Sequence, residues 1–81
     1  MGTSRDLYKE SEQIAEALVQ LGEPDAAARI RDVIAGGSTS SEILFGLRSE
    51  FDRLLKSEDL GDQHLRSLVK DVRSEVSRAL R

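Results

Sequence analysis

The one imidazole of the chain, His64, follows the acidic stretch Glu58-Asp59-Leu60-Gly61-Asp62. A histidine among carboxylates is the raw material of a metal site or of a general base. The spacing delivers neither. These acids match neither the alternate-position ligands of an EF-hand loop nor a Glu-x-x-His pair on one helix face. His64 itself falls about a quarter-turn off the apolar stripe of its helix, with Asp71 two turns further along the same flank, as in a solvated or capping histidine. Cysteine is absent, which removes a thiolate nucleophile, a thiolate metal site and a disulfide framework together. The expectation is a protein that is not an enzyme, with no catalytic, cofactor-binding or metal-ligating residue.

A second candidate is Ile34-Ala-Gly-Gly-Ser-Thr-Ser-Ser-Glu-Ile-Leu-Phe45, where glycines and hydroxyls precede an apolar run as in a phosphate-cradling loop. Such a loop needs a preceding strand, the GxxxxGK[ST] spacing and a lysine that reaches the phosphates, and all three are missing. Thr39-x-x-Glu42 instead has the spacing of a capping box, and Gly36-Gly37 suits the end of a helix. The stretch is therefore read as punctuation between two helices.

The elements around it follow from apolar spacing that is helical almost throughout. Leu7, Ile14, Leu18 and Leu21 form one stripe with Ser11 inside it, and Tyr8, Ala15 and Val19 widen it, so the first helix is expected to be buried over a broad face. Thr3 with Asp6 gives a start near residue 4, and Gly22 followed by Pro24 a stop near 21. Ala26, Ala27, Ile30, Val33 and Ile34 mark a second helix over about 24 to 35. Ile43, Leu44, Leu47, Phe51, Leu54 and Leu55 mark a third over about 40 to 57. Leu65, Leu68, Val69, Val72, Val76, Ala79 and Leu80 mark a fourth over about 62 to 80. No period-two run bounded by turn residues suggests a strand. Short connections favour antiparallel neighbours, so residues 1–81 read as a single all-α domain, a compact antiparallel four-helix arrangement.

Charge bears on partners. The chain of 81 residues has 12 Lys plus Arg against 15 Asp plus Glu, a net charge of −3, which disfavours nucleic acid. Residues 1 to 25 hold a net −4, leaving the rest at +1. On the fourth helix Arg66, Lys70 and Arg73 form a basic stripe, a weaker candidate for a partner site; the structural alternative pairs it with acids of the first helix or leaves it a solvated face. A helix-turn-helix over the second and third helices, reading DNA with Arg48 and Arg53, is the alternative function. The Gly36–Thr39 connection is expected to be long for such a turn, and Glu42 would meet phosphate at the reading end. No apolar run approaches the roughly 18 residues that span a bilayer, and Met1-Gly2 lacks the Ser or Thr that a myristoylation signal wants where Asp6 stands. A cytoplasmic protein is expected, without a membrane partner.

The third helix carries the main anomaly. Phe45 and Gly46 point away from the face made by Leu44, Leu47, Phe51 and Leu54, although Phe is large and Gly costs about 1 kcal/mol inside a helix. With Ser41 and Ser49 they make the candidate interface Ser41, Phe45, Gly46 and Ser49, one aromatic among small residues. Either a second chain packs there, as in a homodimer or a complex with another protein, or another part of the same chain does, for example the first helix.

The runs Leu18-Val-Gln-Leu-Gly-Glu-Pro-Asp-Ala-Ala-Ala-Arg-Ile30, Ile34-Ala-Gly-Gly and Ser41-Glu-Ile-Leu-Phe-Gly-Leu-Arg48 resemble short bacterial helical proteins with no assigned function. The resemblance covers about residues 14 to 80 and implies a helical fold; it assigns no residue a role. The functional expectation is a non-enzymatic protein-protein interaction module that self-associates through its third helix.

Overall fold

The Asp6 carboxylate accepts a hydrogen bond from the Lys9 backbone N–H at 3.0 Å, and α1 (Leu7–Gln20) begins there. The structure, a computed structural model, describes residues 6–57 and 60–80. Asp6 thus takes the capping place expected of Thr3, which lies outside the described residues. At the far end Gly22 adopts φ +81°, the left-handed region open to glycine. Its N–H donates to the Val19 carbonyl (3.1 Å) and the Glu23 N–H to the Leu18 carbonyl (2.8 Å), the paired bonds of a Schellman cap. Pro24 opens α2 (Pro24–Gly36) where its missing N–H has no partner to lose.

The glycine-serine stretch is a joint between helices, as its spacing says, with two differences. Gly37 caps α2 in an extended conformation and not a left-handed one; a side chain there would collide with Ile43. Thr39 Oγ1 accepts from the Glu42 N–H at 3.2 Å and starts α3 (Ser40–Lys56), but the Glu42 carboxylate reaches back to the Ser38 N–H (3.1 Å), one residue beyond the box. Asp62 caps α4 (Gln63–Ala79) by accepting from the Leu65 N–H at 2.9 Å.

The four helices pack in a ring, α1 on α2, α2 on α3, α3 on α4 and α4 back on α1, and no strand occurs among the described residues. Cross-contacts fix the direction. Arg29 of α2 pairs with Glu50 of α3, while Val33, one turn further along α2, lies against Gly46, one turn back along α3. Advancing on one helix means retreating on the other, so the neighbours are antiparallel. The shortest extent, 19 Å, is that of two helix layers.

One core fills the ring. Ile14 and Leu18 of α1, Ile30 of α2, Leu47 and Phe51 of α3, and Val69, Val72 and Val76 of α4 are fully buried. Each such side chain contributes about 1.5 to 3 kcal/mol by leaving water. Leu60, in the last connection, is buried as well. The first helix departs from its expected broad burial: Ser11, Ile14, Ala15 and Leu18 are buried, but Tyr8, Val19 and Leu21 are exposed. With only α2 and α4 beside it, α1 has a single stripe covered and its wider flank faces solvent. Ser11 brings a hydroxyl into that core, and its Oγ finds no hydrogen-bond partner.

Candidate interaction surface

The outer face of α3 is set by what its inner face must do. Taking Ser49 as the outward direction, Leu47 and Phe51 stand about 160° away and Leu44 and Leu54 about 140° away, so burying them turns Ser49 directly outward. Two flanks follow. On one side Gly46 and Glu50 meet α2, and on the other Asp52 meets α4 through an ion pair with Arg73. The strip left between them carries Glu42, Phe45, Ser49, Arg53 and Lys56, all exposed.

Phe45 stands out of this strip with 53% of its surface exposed, and the Arg48 guanidinium lies over its ring at 5.5 Å from the centroid. That contact is a cation–π pair in water, which keeps the arginine close without hiding the ring. Phe45, Arg48, Ser49, Asp52, Arg53 and Lys56 line a shallow depression of about 500 Å³ along this one helix. Among the described residues no carboxylate lies within ion-pair distance of Arg48 or Lys56, and Arg53 reaches Glu50 only at 3.9 Å. Asp52 is already engaged by Arg73, so the face is basic toward the C-terminal end of α3. Its N-terminal end carries Glu42.

The four residues Ser41, Phe45, Gly46 and Ser49 therefore divide. Ser41, Phe45 and Ser49 are exposed together, whereas Gly46 turns toward α2, where a Cβ would lie 2.6 Å from Val33 Cγ1. The glycine is accounted for within the chain, and the helix that needs the room is α2, not α1. Substituting Gly46 would strain the α2–α3 contact, so the clean variants of the outer face are at Phe45 and its exposed neighbours.

The basic stripe of α4 is mostly engaged by α3. Arg66 donates to the carbonyls of Leu55, Ser57 (3.4 Å) and Leu60 (3.4 Å), tying down the end of α3 and the start of the last connection. Arg73 pairs with Asp52 and Lys70 is exposed. Two acids of α1 have a partner other than the α4 stripe: Arg31 of α2 binds Glu12 at 2.7 Å and Glu16 at 3.2 Å. The hydrogen bond with Glu12, more than the charge of either acid, raises the Arg31 pKa above its ordinary value. With its pKa raised, Arg31 stays charged throughout the neutral range, and its contribution is lost as pH climbs through the raised value.

His64 is exposed at the start of α4, on the rim of an apolar depression of about 330 Å³ formed with Ala17, Gln20, Leu21, Leu65 and Leu68. Among the described residues no three His, Asp or Glu side chains gather as a metal site would require; Glu58 and Asp59 lie outside them. At the start of α3 the Glu42 carboxylate, held by the Ser38 N–H, sets a negative charge that an approaching anion would meet. No helix among the described residues is long and apolar enough to cross a membrane.

Sequence reasoning singled out Phe45 and Ser49 but left Glu42, Arg53 and Lys56 out of the surface. A signal for them exists. Glu42 and Lys56 lie seven residues either side of Ser49, and Phe45 and Arg53 four residues either side, the separations that return to one helix face. No protein-family model, curated protein or solved structure matches the chain.

Proposed function

We propose that the protein is a non-enzymatic protein-interaction module whose contact face is the outer strip of α3, and that its partner is a second copy of the chain across a two-fold axis. The observation that carries this reading is Phe45, half exposed beneath Arg48 on a helix whose other large apolar residues are turned inward. An exposed apolar residue is common on a protein surface, so exposure alone decides little. What favours an interface is an aromatic and an arginine together, two side-chain types enriched at protein contacts, between small serines that let a partner approach. A bacterial, cytoplasmic setting belongs to the same proposal and rests on the sequence pattern.

Sedimentation velocity across a concentration series tests it. The parent should associate reversibly and Phe45→Lys should remain monomeric, with unchanged helix content by circular dichroism. Identical sedimentation of the two would overturn the assignment of this face.

One observation favours a second reading, a helix-turn-helix binder of nucleic acid. The α2–α3 connection is only the three residues Gly37 to Thr39, shorter than the sequence suggested and within the range for that motif, and α3 presents Arg53 and Lys56 outward with the half-buried Arg48 on its flank. Against it stand the net charge of −3 and Glu42 at the end of α3 that would enter the groove. Duplex binding that weakens steeply with salt would favour this alternative. Absence of binding at low salt would remove it.

A further inference from the structure

The outer strip of α3 is charged in a way that specifies how two copies meet. Glu42 lies seven residues before Ser49 and Lys56 seven residues after, while Phe45 and Arg53 lie four before and four after. Seven residues return to within about 20° of the starting direction and four to within about 40°, so all five side chains share the outward face. Along this strip the acid is at one end and the bases at the other. If two such helices met in parallel, Glu42 would face Glu42 and Lys56 would face Lys56. In antiparallel contact the ends exchange, and each acid faces a base.

We infer that two copies pair through antiparallel α3 helices with Ser49 on the two-fold axis; this rests on the outer strip being the contact face. In that register Glu42 meets the partner's Lys56 and Phe45 lies under the partner's Arg53, each contact occurring twice. The serine at the centre lets the backbones close to about 8 to 10 Å between axes, the spacing of packed helices. The flanking groups are compatible. Glu50 is held by Arg29 and Asp52 by Arg73, and each carboxylate lies off the contact line toward its own neighbour. Glu42 keeps one carboxylate oxygen on the Ser38 N–H and has the other for the lysine. A single helix face is smaller than the roughly 800 Å² per partner of a stable interface, so the pair dissociates readily and its affinity falls with salt.

Two experiments test the register, and they fail differently from the choice of face. The chain has no cysteine, so Ser49→Cys introduces one thiol. On the axis its Cα atoms come within the about 7 Å that a disulfide requires. Oxidised glutathione should convert this variant to a covalent dimer, the two thiols losing two electrons and two protons to it. Ser74→Cys, exposed on α4, should stay monomeric under the same conditions. Lys56→Glu should weaken association about tenfold by setting like charges opposite each other at two places, and Glu42→Lys with Lys56→Glu together should restore it. If Glu42→Lys frays α3 by losing the Ser38 bond, the cysteine readout decides alone. If Phe45→Lys prevents association but Ser49→Cys cross-links no better than Ser74→Cys, the register is wrong and the face stands. If none of these changes alters association, both fall.

Discussion

Replacing Gly46 by alanine sets two effects of opposite sign against each other. Alanine is favoured over glycine in a helix interior by about 1 kcal/mol, and Gly46 sits in the middle of α3. Its added methyl would lie 2.6 Å from Val33 Cγ1, with Cγ2 at 3.3 Å and Cβ at 3.5 Å. The Cγ1 contact is closer than real methyl groups approach, and the valine must turn. Valine is stiff in a helix, where one χ1 rotamer dominates, and turning it brings the other methyl round. Overpacking of this kind costs about 1 to 3 kcal/mol, so Gly46→Ala should destabilise by about 1 kcal/mol once the helix gain is subtracted. The sharper test is the double-mutant cycle. With Val33→Ala already in place the obstruction is gone, and the same Gly46→Ala change should stabilise by about 1 kcal/mol. Urea unfolding followed by far-ultraviolet circular dichroism measures both steps. The sign should reverse between the two backgrounds; an equal stabilisation in each would mean that α2 does not approach α3 at this glycine.

Ser11→Ala should stabilise the protein by about 1 kcal/mol, because the buried hydroxyl has no partner to lose and alanine is the better helix former; destabilisation in urea would mean that Ser11 is hydrogen-bonded. Arg66→Met keeps the apolar stem but removes the donors to the end of α3, and should cost about 1 to 2 kcal/mol with faster hydrogen exchange near Leu55 and Leu60. Leu47→Ala, at a site fully out of solvent, should cost about 2 to 5 kcal/mol by thermal or urea unfolding, and a loss under about 0.5 kcal/mol would place the core elsewhere.

What could be read in the sequence was local. Pro24 and the left-handed Gly22 involve neighbours within six residues, as does the Thr39 cap, and their chemistry acts at that range. The apolar periodicities likewise marked Leu47, Phe51, Val69 and Val72 as inward. Less legible was anything that depends on which helix stands beside which. Gly46 was visible as an anomaly, but Val33, thirteen residues away, is what requires it. The acids of α1 were visible as a charge excess; that Arg31 of α2 answers Glu12 and Glu16 follows from the order of the ring. Tyr8, Val19 and Leu21 looked like a wide buried face because pattern shows which residues are apolar and not how many neighbours will cover them. The same limit separates the parts of the outer surface. Phe45 announced itself by size, whereas Glu42, Arg53 and Lys56 become a strip with Ser49 only when its direction is known.

Amide NMR spectra of the parent chain, recorded over dilution from millimolar to micromolar concentration, test most directly whether the outer strip of α3 is the contact face. Concentration-dependent shifts should cluster at Glu42, Phe45, Ser49, Arg53 and Lys56 and be abolished in Phe45→Lys. Spectra that do not change with concentration, or changes confined to the α1–α4 side around Leu21 and His64, would contradict the proposal.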